Sequence, residues 1–368
     1  MLLKRTAGAA APARQQQPQR QQPQRQQPRP PPPARPVAAR SPLSPRRPPL
    51  LLAAAAAAAA AASVPFPDDN ASSSNNNSSS SSSSSPAASS SSGRDIGAGV
   101  YVGLRPPPSA LGLLAARLRA VLFAAWTFAL AVPLFVVMVA MSPLVLLTDK
   151  SRRLAQHFVN NLWACASTAP FFRVTVEGAE HLPKNAAAAV YVANHASFVD
   201  IFSLFHLMRS FKFVSKTSNF LIPVVGWSMF LTGHVMINRV DRRSQIKCLA
   251  QCVDLLGAGA SCLFFPEGTR SKDGRMHAFK RGAFSVAAKA GVPVVPVTLL
   301  GTAGVMPNGR EGEMYGGAVR IVVHPPVPPP AAGEKADAGA MADAARRAVA
   351  SALPADLVAA ADDEAPDE

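Results

Sequence analysis

Residues 188–200 read AAVYVANHASFVD, and this stretch decides the fold. Its first half is short, apolar and rich in β-branched residues, which predicts a buried strand over 188–193. The run breaks at the polar pair Asn194-His195, and a helix is predicted to begin at Asp200. A strand that ends in a polar turn and feeds a helix is the repeating unit of an α/β domain. Outward from it, further strands are predicted at 173–176, 211–214, 235–237, 262–265, 294–300 and 319–323. Helical spacing fills the gaps. One pattern covers 244–256, with Ile246, Leu249, Val253 and Leu256 on one face and Gly257 as the stop. Another covers 283–290 and ends at Gly291. The alternation predicts a layered α/β domain with a central mixed sheet flanked by helices. The apolar stretch 220–230, interrupted by Pro223 and Gly226, reads as a buried loop, with a dip into a bilayer face as the alternative.

The same stretch carries the first chemical signal. A histidine at the carboxyl end of a strand opens into the crevice where such domains bind ligands. An aspartate at the start of the next helix can fold back to accept the imidazole N–H, fix its tautomer and stabilise the imidazolium. Alone, H-x-x-x-x-D is a weak signal, because a structural turn uses the same residues. A second constellation, Phe265-Pro266-Glu267-Gly268-Thr269-Arg270-Ser271, follows the strand at 262–265. Gly268 suits a tight turn, and the planar fork of Arg270 suits a phosphate. Glu267 could hold Arg270 or accept a substrate hydroxyl, and Lys272, Lys280 and Arg281 keep the neighbourhood cationic. Gly233-His234-Val235-Met236-Ile237-Asn238-Arg239 places another arginine at a strand end. In Val292-Pro293-Val294-Val295-Pro296-Val297, Pro296 lacks a ladder donor, which implies an edge or a bulge.

Farther out, composition divides the chain. Residues 1–92 are low-complexity Gln/Pro/Arg, Ala and Ser/Asn tracts, too poor in apolar groups to form a core. They are Arg-rich, Ser-rich and free of acid before Asp68, which is the composition of an organelle transit peptide. Residues 93–119 read as a linker. Residues 120–148 contain no charge, and Arg117 and Arg119 precede them while Lys150, Arg152 and Arg153 follow. This is long enough for a bilayer-crossing helix, and Pro133 and Pro143 leave a kinked span and a re-entrant hairpin both open. The catalytic domain is expected over 149–330, followed by an Ala-rich tail over 331–368 with one helix near 338–353.

The net charge of +15 belongs largely to the first segment. Taking away its ten cations with Asp68 and Asp69 leaves +7, a balance suited to an anionic membrane surface or an acidic partner. No recognition module or aromatic-interleaved basic motif supports a nucleic-acid partner. Cys165, Cys248, Cys252 and Cys262 show no C-x-x-C spacing and read as small hydrophobes in a reducing compartment. The seven histidines form no H-x-x-x-H pattern, so no metal site is expected.

Together, and in this order, NHASFVD, GHVMINR, FPEGTRS and VPVVPVT resemble the four ordered blocks of the glycerolipid acyltransferase family. The texts FKFVSKTSNFLIPVVGW, RRSQIKCLAQCVDLL and FPEGTRSKDGRMHAFKRGAFSVAAKAGVPVVPVTLLGT are similar to its plastid-type lysophosphatidic acid acyltransferases. The likeness runs from about residue 178 to 327. It departs at Ala196, commonly Gln in the family, and in lacking Pro-Leu before Arg239. The resemblance implies transfer of an acyl group from acyl-ACP or acyl-CoA to lysophosphatidic acid at a membrane, without a cofactor. His195 would be the general base and Asp200 its orienting partner. Glu267, Gly268, Thr269, Arg270 and Arg239 would bind the glycerol phosphate, with Lys216 a further phosphate ligand, and Pro296 would shape the acyl-donor site. Transfer would be direct, in keeping with the lack of a G-x-S-x-G nucleophile elbow. Glycerol-3-phosphate or another lysophospholipid as acceptor, and an inactive lipid-binding scaffold, are the alternatives. The expected location is a plastid membrane, with mitochondria or the endoplasmic reticulum as alternatives.

Overall fold

The computed structural model describes residues 93–103, 105–106, 108–184, 187–330 and 337–359. The expected transit segment lies outside them. In chain order the strands are β1 (Arg94–Asp95), β2 (Tyr101–Val102), β3 (Arg173–Glu177), β4 (Val190–Ala193), β5 (Phe211–Lys216), β6 (Val235–Ile237), β7 (Ser261–Phe264), β8 (Val294–Leu300) and β9 (Ala318–Val323). The helices are α1 (Ala110–Thr148), α2 (Leu154–Thr168), α3 (Asp200–Phe205), α4 (Val225–Thr232), α5 (Arg242–Gly257), α6 (Gly282–Ala290), α7 (Thr302–Val305) and α8 (Ala338–Ser351).

Seven strands form one mixed sheet in the order β3-β9-β8-β4-β7-β5-β6. From β8 to β6 neighbouring strands run parallel, whereas β9 is antiparallel to β8 and parallel to β3. The interior strands β4, β7 and β8 are buried at every residue, the mark of a parallel sheet covered on both faces. The edge strand β3 alternates exposed and half-buried residues. Because β4, β7, β5 and β6 are parallel, the turns that follow them all open at one end of the sheet.

Pro296 lies within β8, between β9 and β4, so it is not on an edge. The pairing of β8 with β9 shifts by one residue beside it. Val297 faces Val323, but Val294 faces Val327, leaving two residues opposite three. The Pro296 carbonyl still accepts from His324 N–H at 3.0 Å. This is a β-bulge opposite the missing donor, the second of the two arrangements the sequence allowed.

Helix α1 is continuous for 39 residues, about 58 Å, and is not itself folded into a hairpin. Pro143 cannot donate to the Val139 carbonyl, and the Ser142 hydroxyl takes that carbonyl instead at 2.9 Å. The helix starts ten residues before the charge-free run, capped by Ser109. A stripe of Ala116, Ala120, Phe123, Thr127, Ala131, Met138 and Val145 faces the protein. Only 17% of the most apolar window is buried, so most of its aliphatic surface faces outward. It is the one helix among the described residues long and apolar enough to cross a membrane. The chain reverses at 149–153, and α2 returns beside α1. Trp126 Nε1 donates to Ala166 O at 3.0 Å, and Trp163 Nε1 to Thr127 O at 3.1 Å.

Three expectations change. The stretch 220–230 is not a buried loop: a 3-10 turn (Thr217–Leu221) and α4 leave Leu221, Trp227 and Phe230 exposed. With Phe135 and Val139 of α1, Trp227 and Phe230 line an apolar cavity of about 400 Å³. Helix α5 turns Cys248, Cys252 and Leu256 inward and packs Leu249 and Val253 on the same core, but leaves Ile246, expected on that face, 62% exposed. Gly257 is its last residue, and the chain leaves the helix at Gly259, whose φ is +81°. Finally, α8 is no tail. Met341, Ala342 and Ala345 join the same core as Val190, Cys252 and Phe284, Val349 is fully buried, and Thr298 Oγ1 donates to Val349 O at 2.9 Å. All four cysteines are free, and three are buried.

Candidate active site

The crevice is built from the turns after the parallel strands. His195 follows β4 by two residues, and Asn194 fixes the exit: its side chain donates to Leu299 O at 3.0 Å and accepts from Leu299 N at 2.8 Å. Both bonds tie the turn to β8. Ser197 is buried and donates to Met306 O at 2.6 Å.

Asp200 is fully buried, and one of its carboxylate oxygens gathers three donors. Oδ2 accepts from Ala196 N, Ser197 N and His195 Nδ1, each at 2.8 Å. The backbone donors fix the carboxylate, and the carboxylate fixes the ring. The imidazole also stacks on Phe265 at 3.8 Å between centroids and 12° between planes. With Nδ1 engaged and the side chain 13% exposed, Nε2 remains for a reacting group. Position, tautomer and ring plane are thus set by three separate contacts.

Glu267 departs from expectation. It is 2% exposed and holds neither Arg270 nor an open surface. Its Oε1 accepts from His195 N at 2.7 Å and its Oε2 from His277 N at 3.1 Å. Burial pushes its carboxyl up to about 8, against the pull of those two backbone donors. Glu267 is therefore a brace between the histidine turn and the 265–277 loop. Ser271 N completes the tie by donating to His195 O at 2.8 Å.

Arg270 sits on that loop, one strand away from His195, and pairs with Glu311 at 2.7 Å. Asn308 Nδ2 donates to Ser271 O at 3.0 Å, so the β8–β9 connection lies against this loop. Gly268 has φ +85°, and an added Cβ would meet Lys280 at 3.3 Å; Thr269 beside it is exposed. Lys216 ends β5, and Arg239 lies two residues beyond β6, both exposed. At about 4.8 Å per strand their strands stand roughly 10 and 14 Å across the sheet from β4. Pro296 is buried and pairs with Val192, three residues before His195, so it shapes β8 and does not line the crevice.

Sequence reasoning did not single out Glu311, Asn308 or the C-terminal residues Leu353 and Leu357. The last two line a small cavity with Asn194, His195, Ala196 and Glu267. Nothing local marks them; each meets the site across a long stretch of chain. No group of three or more His, Cys, Asp or Glu suited to a metal ion occurs among the described residues.

An acyltransferase family profile matches residues 173–300. The chain is 65% identical over 256 residues to a 1-acyl-sn-glycerol-3-phosphate acyltransferase of Chlamydomonas reinhardtii, covering 70% of this chain and 76% of that one. It is 48% identical over 240 residues to a chloroplastic protein of the same name from Brassica napus, covering 65% of this chain and 68% of that one. Among solved structures it is similar to the 1-acyl-sn-glycerophosphate acyltransferase PlsC of Thermotoga maritima. That likeness has a TM-score of 0.52 and 28% identity, covering 64% of this chain and 94% of that one.

Proposed function

The chain belongs to the 1-acyl-sn-glycerol-3-phosphate acyltransferases and converts lysophosphatidic acid to phosphatidic acid, and we propose that His195 is the general base of that transfer. The observation that carries this reading is the 2.8 Å bond from His195 Nδ1 to the buried Asp200, which leaves Nε2 to take a proton.

In this reading Nε2 removes the proton of the acceptor's sn-2 hydroxyl as the oxygen attacks the thioester carbonyl. Asp200 stabilises the imidazolium, and the proton passes on to the departing thiolate. Arg270 takes the acceptor phosphate, and the substrate exchanges with Glu311 for its guanidinium. Arg239 and Lys216 add positive charge from the neighbouring strand ends. Gly268 and Thr269 form the turn that presents Arg270, while Glu267 positions and does not touch substrate. No cofactor takes part.

The α1 helix is read as the membrane anchor, holding the crevice at the surface where lipid substrate and product reside. The chloroplastic relative supports a plastid membrane, and that location favours acyl-ACP over acyl-CoA as donor. The test is an assay of membranes containing the full chain, with lysophosphatidic acid, glycerol-3-phosphate and lysophosphatidylcholine in competition and each donor supplied in turn. Phosphatidic acid should be the dominant product and acyl-ACP the better donor. Preferential acylation of either competitor would overturn the acceptor assignment, and equal or better use of acyl-CoA the donor assignment.

A further inference from the structure

Beyond α8 the chain turns through Pro354 and runs along the 271–277 loop. Leu357 O accepts from Met276 N at 2.7 Å, and Ala359 N donates to Met276 O at 3.0 Å. Met276, Leu357 and Ala359 are all nearly inaccessible, at 2%, 4% and 3% exposure. Arg346 of α8 closes the arrangement, donating to Ala359 O at 2.6 Å and His277 O at 3.5 Å. On the other side Arg94 of β1 grips Asp356 with bonds of 2.9 and 2.7 Å.

The residue after Met276 is His277, whose N–H is held by Glu267, and the other oxygen of Glu267 holds His195 N. A run of short polar contacts therefore leads from the C-terminal segment to the backbone of the histidine. Leu353 and Leu357 also stand in the wall of the small cavity beside His195. The C-terminal half of this arrangement, Arg346 and residues 353–359, lies outside the matched acyltransferase region, which ends at residue 300.

We propose that residues 353–359 are a positioning strap for His195, acting through Met276, His277 and Glu267 to set the turnover rate. The proposal rests on the reading of His195 as general base. Displacement of a catalytic group by about 1 Å is enough to cost on the order of 10²-fold in rate. A strap that holds the group from behind therefore shows chiefly in kcat, since Arg239 and Lys216 lie on other segments and Arg270, though on the same loop, is tied separately to Glu311.

The test uses the full chain in membranes with Ala359→Pro, which removes the N–H given to Met276 O. Val358 already has φ −105° and ψ 113°, the extended form required before proline. Binding of radiolabelled lysophosphatidic acid without donor counts the folded sites, and turnover is expressed per site. The strap predicts about a tenfold loss of kcat per site, with the number of sites and the KM for lysophosphatidic acid unchanged. Ala359→Ser, which restores the N–H, should regain the wild-type rate. Arg346→Met, which releases the strap from the other side, should reproduce the loss. Unchanged kcat per site in both Ala359→Pro and Arg346→Met would overturn the proposal, as would a loss of sites that alone accounts for the loss of turnover. Failure of the wild-type chain to acylate lysophosphatidic acid would instead overturn the underlying reading.

Discussion

Replacing Glu267 with Gln separates a brace from a substrate ligand. The wild-type carboxyl offers one oxygen to His195 N at 2.7 Å and the other to His277 N at 3.1 Å. Glutamine keeps the shape but has one acceptor, so one of the two buried N–H groups must face an NH2. An unsatisfied buried donor costs about 1–3 kcal/mol. If that cost is relieved by movement of the His195 turn, about 1.4–2.8 kcal/mol of transition-state stabilisation disappears, a fall in kcat of about 10- to 100-fold. The KM for lysophosphatidic acid should stay within about threefold, because Arg239 and Lys216 are on other segments and Arg270, though on the same loop, is tied separately to Glu311. Initial rates across both substrates in membranes of matched protein content give the two constants. A KM raised more than about tenfold with kcat preserved would refute the brace and make Glu267 an acceptor ligand.

Arg270→Lys keeps charge but loses the fork, so the KM for lysophosphatidic acid should rise about tenfold while that for the acyl donor holds; equal rises would make Arg270 structural. Lys212 is 1% exposed, donates to Arg152 O and Thr232 O at 2.8 and 2.6 Å, and is pulled down to about 7, chiefly by burial. Above pH 7 the native lysine is neutral while the unfolded one still carries its proton, so stability rises with pH through this window. Over two pH units the gain is at most about 2.7 kcal/mol, and Lys212→Met should flatten it. Thermal unfolding in detergent at pH 7 and 9 reads the difference; identical pH slopes in the two proteins would contradict a neutral buried Lys212.

The sheet was legible because its interior strands are unbroken apolar runs bounded by turns, and β8 occupies the 294–300 span read from its residues. In helix α5 the expected Leu249, Val253 and Leu256 do pack on the core, and only Ile246, near the helix start, is left exposed. The fold buries Cys248 and Cys252 against Val190 and Phe264, where small side chains fit. The Ala-rich stretch around 338–351 resembles a tail because alanine gives little apolar contrast, yet its small residues let α8 lie close to β8. His195 and Asp200 are five residues apart, so their contact follows from a single turn. Glu267 meets His195 across 72 residues, and Arg270 meets Glu311 across 41, contacts that depend on strand order. Strand order is invisible to local periodicity, which is why the contacts of Glu267 with the His195 turn and of Arg270 with Glu311 are not legible in the sequence.

The central claim is that His195, held by Asp200, takes the proton of the acceptor hydroxyl. It is tested most directly by kcat per lysophosphatidic acid site in His195→Ala, Asp200→Asn and the double variant. A positioned general base contributes about 10²–10⁴-fold, so His195→Ala should lose at least about 10²-fold while its binding sites remain. Asp200→Asn should lose much of the same rate, and the double variant little more than His195→Ala, because the pair acts as one unit. Retention of most of the wild-type kcat per site in His195→Ala would contradict the account.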